Sequence, residues 1–487
     1  MTEVPVASRS SLEQTTLALS VALLVGSGGC SDDRQLMVWV DSDISMVTSV
    51  EVVASRPGGV PATHVFPIGR STFPLSFGVA EPDGGGTVYL SAVGFDASGQ
   101  RLASTELSTG FPSGDTRRVL LYLSEACLQL DCADGQTCMD GACTSVPELD
   151  PSELALESGG PPTAPTASLP ELCGIPFDEL AFGAPERVAT IPATRDDFGN
   201  PIPTFSLNPF VTADGLHLYY STLIPGIWTF QVRRLDRPAP SLAWGPEQTL
   251  SSPTLRETDS VHRFAVSADG KTALFVSDRW TDANKPVAYT DENGNPVLAE
   301  QLWQATRSST DDPFGTPELF PGFRSSQTIE ADPWPSRDGD RWYFLSTSRS
   351  GGVGGQDLYV VERGDDGRWQ EAELLSGISS VVDEDGPTLS ADERIIIFGS
   401  GREGTLGGKD LWMSWRPNRK VAFDPAHTVS LGAPVNTPFF EGGGPALVEL
   451  PDQGVCELYF SAEDTSQPVD EDGVHPYAIF RSAISGS

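Results

Sequence analysis

Carboxylates stand at or just before the start of an apolar strand at four places in the C-terminal two-thirds of the chain: Asp259, Glu330 with Asp332, Glu384 with Asp385, and Glu441. If those strands gather round one axis, the carboxylates ring one mouth of a channel. A ring of oxygen donors suits a hard cation such as calcium, or a polar ligand. Two carboxylates at a set separation are also what hydrolysis of a glycosidic bond requires. The competing role is local, with each carboxylate accepting hydrogen bonds from its own segment or pairing with Arg279, Arg349 or Arg402. Positions that recur in every repeat ordinarily serve the repeat, so the local role is the favoured expectation and no catalytic residue or cofactor is assigned. His64, His217, His262, His427 and His475 show no metal-ligand spacing. Trp228, Trp303, Trp342 and Trp412 recur at equivalent places and read as core.

The elements that must position these residues repeat. Thr212-Ala213-Asp214-Gly215, Ser267-Ala268-Asp269-Gly270, Ser336-Arg337-Asp338-Gly339 and Ser390-Ala391-Asp392-Glu393 are one turn, with a degenerate copy at Pro451-Asp452-Gln453-Gly454. From Asp214 through Asp269, Asp338 and Asp392 to Asp452 the intervals are 55, 69, 54 and 60 residues, a single unit with variable loops. An apolar strand follows each turn (LHLYYS, TALFVS, RWYFLS, RIIIFGS, ELYFS), and then a second one, often ending in Arg (IWTFQVR, QLWQATR, DLYVVER, DLWMSWR, YAIFR). An outer element recurs at Trp244 to Glu247, Phe314 to Glu318, Trp369 to Leu374 and Val429 to Pro434, and once ahead of the array at Phe182 to Glu186.

Short four-stranded sheets bury both faces only by stacking, and radial stacking gives a propeller. The inner strands occur five times, and the last copy lacks an outer strand. A five-bladed ring, closed by the strand at Phe182, is therefore expected, with six blades as the alternative. Closure removes exposed edges. Cys173 precedes the closing strand and Cys456 lies in the last repeat, so a Cys173–Cys456 disulfide would lock the seam.

Ahead of the array, residues 1–29 carry one Arg and the apolar run Leu17 to Val25, too short to span a bilayer and the length of an export signal. Residues 30–125 hold seven short candidate strands and read as a β-sandwich. Residues 126–145 contain Cys127, Cys132, Cys138 and Cys143, in a spacing that favours disulfides over zinc and leaves three pairings open. Residues 146–172 are a Pro-rich, acidic linker, and 173–487 are the array. The fold class is all-β. Six cysteines beyond Cys30 indicate an oxidising compartment. A formal charge of −36, from 67 acidic against 31 basic residues, argues against a nucleic-acid partner.

Two family resemblances refine this. Gly26-Ser27-Gly28-Gly29-Cys30 resembles the lipobox of bacterial lipoproteins, with Ser27 where that family usually has Leu. The resemblance implies lipidation at Cys30 and contact with membrane through that anchor only. SRSGGVGGQDLY (from Ser348) and SGREGTLGGKDLW (from Ser400) resemble the TolB-like, WD-type propeller repeat of bacterial envelope proteins. The sandwich looks immunoglobulin- or fibronectin-like. The turns read S-x-D-G, unlike the S-x-D-x-G-x-T-W of sialidases. Together these imply an outer-membrane or cell-surface lipoprotein, alternatively periplasmic or secreted. The expected function is non-enzymatic binding or scaffolding of a protein or polysaccharide partner. The alternative is a glycoside hydrolase-like or other carbohydrate-active enzyme using acidic residues at the propeller channel.

Overall fold

The computed structural model describes residues 35–487 except 69–72, 82–85, 113, 115, 158–168, 190–193, 196–200, 203–204, 225–228, 251–260, 278–286, 291–295, 299–300, 322–327, 348, 350, 365, 470–474 and 487. The export signal, Cys30, Trp228, Asp259 and Arg279 fall outside the described residues. The chain forms two compact units that divide at Leu169.

The first unit contains β1 (Gln35–Ser42), β2 (Ser49–Ser55), β3 (Ala62–Pro67), β4 (Leu75–Ala80), β5 (Val88–Phe95), β6 (Arg101–Thr109) and β7 (Arg117–Leu123). One sheet has the order β4-β1-β7, with β1 and β7 parallel. The other has β6-β5-β2-β3 in sequence. Alternation decides which side chains face inward: Leu36, Val38 and Val40 of β1, and Val50, Val52 and Ala54 of β2, are buried while their neighbours are not. In the cysteine-rich segment, Cys127 bonds Cys138 and Cys132 bonds Cys143, around the hairpin of β8 (Gln136–Met139) and β9 (Ala142–Ser145). Part of the stretch read as linker is built into the first unit, because β10 (Glu148–Leu149) adds to the edge of β6 and the Arg117 guanidinium donates to the Leu154 carbonyl.

The second unit is a succession of antiparallel meanders. The first four sheets start with Ser206–Val211, Val261–Val266, Glu330–Pro335 and Glu384–Leu389, and each has four strands. The fifth starts with Glu441–Leu450, continues through Val455–Glu463 to Tyr477–Gly486, and is completed from the other end of the unit. Leu180–Phe182 and Glu186–Ala189 both pair with Tyr477–Gly486. The five starting strands pack side by side in a closed cycle, the fifth against the first. The arrangement is β-propeller-like. Cys173 is bonded to Cys456, which ties the closing segment to the last sheet.

The repeated turn is held by its own side chains. In the second sheet, the Ser267 hydroxyl donates to Asp269 while Asp269 accepts from the Lys271 amide and the Ser267 oxygen from the Thr272 amide. The same three bonds form at Thr212/Asp214, Ser336/Asp338 and Ser390/Asp392. The strand-ending arginines serve the turn as well. Arg237, Arg307 and Arg416 donate through Nε to the carbonyls of Gly215, Gly270 and Glu393, and stack on Trp244, Phe314 and Phe423. The outer aromatics therefore cover arginines, and pairing of the outer strand begins after them, for example at Gln248–Thr249. Trp342 and Trp412 are core, as their repeat positions indicated.

Candidate active site

Each inner strand carries a bulge near its middle, and there the backbone turns left-handed. Asn208, Arg263 and Asp332 have φ of 54°, 57° and 50° where the next two strands use Gly386 and Gly444. Such φ values disfavour residues with a Cβ. The five bulges meet at the centre of the ring, around a cavity of about 20 Å³. Asp332 fills it. Its carboxylate takes the Asn208 amide at 3.0 Å, the Gly386 N–H at 3.1 Å and the Arg263 guanidinium at 2.9 Å. Asp385 pairs with Lys409 at 2.7 Å. The central space has room for a single water and not for a sugar ring. At the end of the ring formed by the repeated turns, a second cavity of about 50 Å³ lies among Trp334, Arg337, Tyr343, Glu393 and Glu449.

Glu330 and Glu384 are fully buried at the starts of their strands and each is paired with an arginine of its own sheet. Glu330 takes the Thr328 hydroxyl and the Arg349 guanidinium, both at 2.7 Å. Glu384 takes the Ser380 amide at 2.8 Å, the Ser400 hydroxyl and Arg402, the last two at 3.1 Å. The glycine-rich loops wrap these pairs. In the fourth sheet, Leu406 and Gly407 donate their amides to Asp410, and a Cβ on Gly407 would stand 1.7 Å from the Phe439 carbonyl oxygen. The five described carboxylates of the six singled out in the sequence thus do not form one ring. Asp332 closes the centre, Asp385 pairs with Lys409, Glu330 and Glu384 hold their own sheets, Asp259 is outside the described residues, and Glu441 stands apart.

Glu441 opens the inner strand of the fifth sheet and is 2% exposed. Its carboxyl accepts from the Thr437 amide at 3.0 Å and from the Thr437 hydroxyl, the contacts that Ser380 gives Glu384. It has no arginine. It lines a cavity of about 500 Å³, bounded also by Arg187, Phe439, Phe460, Glu463, Asp464 and Phe480, a volume in the range of ligand sites. Phe439 is 40% exposed at its edge. Burial first, then the charges of Asp410 and Glu463, push the Glu441 carboxyl up to about 7 against the Thr437 bonds. Asp464, in the same cavity, goes the other way: burial raises it, but the Ser466 hydroxyl and the Arg187 guanidinium at 2.7 Å hold it below the usual carboxylate range. Two carboxyl groups with opposed tendencies in one ligand-sized cleft are the arrangement that acid–base chemistry uses.

Sequence reading reached Glu441 and missed Arg187, Glu463 and Asp464. Aligning Ala462-Glu463-Asp464 with Ser400-Gly401-Arg402 would have exposed the exchange of Arg for Asp, since Ala462 lies opposite Glu441 as Ser400 lies opposite Glu384.

No protein-family model matches the sequence, and no curated protein does. Solved structures do. An α-L-arabinofuranosidase from Lactobacillus brevis matches at 14% identity over 57% of this chain and 90% of its own, with a TM-score of 0.37. A GH62 hydrolase in complex with xylotriose matches at 13%, over 62% and 97%, with a TM-score of 0.37. A family 117 glycoside hydrolase from Zobellia galactanivorans matches at 11%, over 62% and 90%, with a TM-score of 0.38. These matches run against the expectation of a non-enzymatic binding or scaffold protein, and that expectation is corrected in favour of the carbohydrate-active alternative. At this level of likeness they carry no activity over to the chain, and the case for one rests on the cleft.

Proposed function

We propose that the protein is a carbohydrate-active enzyme of the glycoside hydrolase type, acting in the cleft of the fifth sheet with Glu441 as proton donor and Asp464 as the charged carboxylate. The observation that carries this is the shared cavity of about 500 Å³, which both acids line with three phenylalanines. Apolar faces of sugar rings pack on aromatic side chains, and a buried neutral carboxyl can protonate the leaving oxygen as the glycosidic bond breaks. The Asp464 carboxylate, fixed by Arg187 and Ser466, then opposes the positive charge that grows on the sugar ring. The same proposal reads the five meanders as five propeller blades and the first unit as an immunoglobulin- or fibronectin-like sandwich. In support are the closed cycle of inner strands and the two facing sheets of β1–β7. An exported chain, as residues 1–30 read, would meet a glycan at or beyond the cell surface.

The test is release of reducing ends by the full-length protein from a broad oligosaccharide panel. Glu441→Gln is expected to lose about 10²–10⁴-fold in kcat, the usual worth of a positioned acid, with an unchanged unfolding midpoint at acidic pH. Asp464→Asn should also lose kcat. No hydrolysis of any panel member, or full activity in Glu441→Gln, overturns the proposal.

A further inference from the structure

In four sheets the second strand brings a hydroxyl opposite the first residue of the inner strand: Thr222 opposite Ser206, Ser277 opposite Val261, Ser346 opposite Glu330 and Ser400 opposite Glu384. The fifth sheet brings a methyl, Ala462, opposite Glu441. The fourth sheet shows what the hydroxyl does beside a glutamate. Glu384 Oε2 takes the Ser380 amide, while Oε1 takes the Ser380 and Ser400 hydroxyls and the Arg402 guanidinium. In the fifth sheet the first half of that set is kept. Thr437 gives its amide to Glu441 Oε2 at 3.0 Å and its hydroxyl to Oε1, and the Phe439 amide steadies that hydroxyl at 3.2 Å as the Val382 amide steadies Ser380 at 3.3 Å. The second half is gone, because Ala462 and Asp464 hold the places of Ser400 and Arg402, and both line the cavity. Among the described residues, the Glu441 carboxyl accepts from Thr437 alone.

The two oxygens of Glu441 are therefore unlike. An amide N–H can only donate, so Oε2 stays an acceptor and the neutral acid carries its proton on Oε1. The Thr437 hydroxyl covers one side of Oε1. The side that meets Ser400 in the fourth sheet opens here past Ala462 to the cavity.

We propose that the leaving oxygen of the substrate takes the place that the Ser400 hydroxyl has in the fourth sheet, over Ala462 and within hydrogen-bond reach of Glu441 Oε1, with Thr437 positioning the proton on that oxygen. This rests on the hydrolase reading above and adds the place of the scissile bond. As the C–O bond breaks, the O–H bond of Glu441 breaks with it, and the proton passes to the leaving oxygen, which keeps the electron pair. Water supplies the new hydroxyl of the sugar carbon, and its other proton restores Glu441. The carboxylate formed in between is received by the two donors of Thr437. A side chain larger than methyl at residue 462 would fill the leaving oxygen's place.

The test uses the full-length protein and a panel glycan that it hydrolyses. Ala462→Ser, which puts back the hydroxyl of the other sheets, should lower kcat/KM about 10- to 100-fold, the scale of one hydrogen bond to a charged group, with no fall in the unfolding midpoint. The added hydroxyl also donates to the charged form of Glu441, which otherwise faces the like charges of Asp410 and Glu463, the Tyr477 hydroxyl and the Asp464–Arg187 pair. The alkaline limb of the activity profile should therefore move to lower pH. The reverse exchange one sheet away, Ser400→Ala, should lower the midpoint and leave kcat/KM unchanged. Parent-like kcat/KM in Ala462→Ser, or a loss with the alkaline limb unmoved, overturns the inference and leaves the hydrolase reading standing. A loss in Ser400→Ala as large as that in Ala462→Ser traces the effect to the fold and overturns it as well. Hydrolysis of no panel member by the parent protein overturns both.

Discussion

A carboxyl that the fold keeps neutral has a signature in stability as well as in rate. Glu441 ionises near 4.5 in the unfolded chain and at about 7 in the folded one. Below about 4.5 both states hold the proton, and the full advantage of the neutral form is present. As pH rises toward 7 the unfolded chain gives up its proton first, so stability falls, and the contribution is gone once pH has passed the folded value. The span amounts to about 3 kcal/mol at most. Glu330, Glu384 and Glu449 are displaced upward by burial as well, so the informative quantity is a difference. The stability of the parent protein minus that of Glu441→Gln is expected to decline between pH 5 and pH 8, followed by chemical denaturation at each pH. A flat difference would show that Glu441 is ionised in the fold, and would remove the proton donor from the mechanism. The activity profile should fall over the same range, since the acid works only while protonated.

At the scale of the element, the sheets differ in how they handle one buried charge. Glu384 and Arg402 sit in a place where burial pushes the carboxyl up and the guanidinium down; Glu384 is held first by Ser380 and then by Arg402, whereas Arg402 is stabilised by Glu384. Such a pair gains little over an apolar replacement, whereas removal of one partner strands the other. Arg402→Met should therefore cost about 3–5 kcal/mol, and Glu384→Gln combined with it should recover most of that loss in a denaturant titration. Recovery failing to appear would mean that Arg402 acts through its stacking on Phe398 and Trp412. The contrast explains what could be read in advance. The Ser-x-Asp-Gly turn, the strand-ending Arg and the outer aromatic were legible because every sheet needs the same hydrogen bonds and repeats the residues that make them. The cleft was not, because its meaning lies in a departure from the repeat at Asp464, where the fourth sheet has Arg402, and in Arg187, which reaches Asp464 from the far end of the unit. The left-handed residues Asn208, Arg263 and Asp332 were equally hidden. No single residue type marks the bulge in all five strands, although the backbone there is left-handed in each.

For the second unit as a whole, the cleft depends on closure of the ring. Arg187 belongs to Glu186–Ala189, a strand that pairs with Tyr477–Gly486, and it is Arg187 that holds the Asp464 carboxylate. The Cys173–Cys456 bond closes a separation of 283 residues just ahead of that strand. Glu449, opposite Cys456 in the strand pair, accepts the Cys173 amide at 3.4 Å and the Ala391 amide at 2.6 Å, so the disulfide, the fifth sheet and the fourth sheet's turn share one carboxylate. A cross-link over so long a loop is worth about 2–5 kcal/mol, through its restriction of the unfolded chain. Replacing both cysteines with serine should lower stability by that amount, and it should do so unevenly. Hydrogen exchange should accelerate in Glu186–Ala189 and Tyr477–Gly486, while Glu330–Pro335 and Arg341–Thr347, buried two sheets away, keep their protection. Substrate affinity should fall together with protection of Glu186–Ala189, because the strand that seals the ring also carries Arg187, a cation of the cleft wall. Uniform acceleration over all five sheets would instead make the ring a single cooperative unit, and the seam would then have no separate hold on the site.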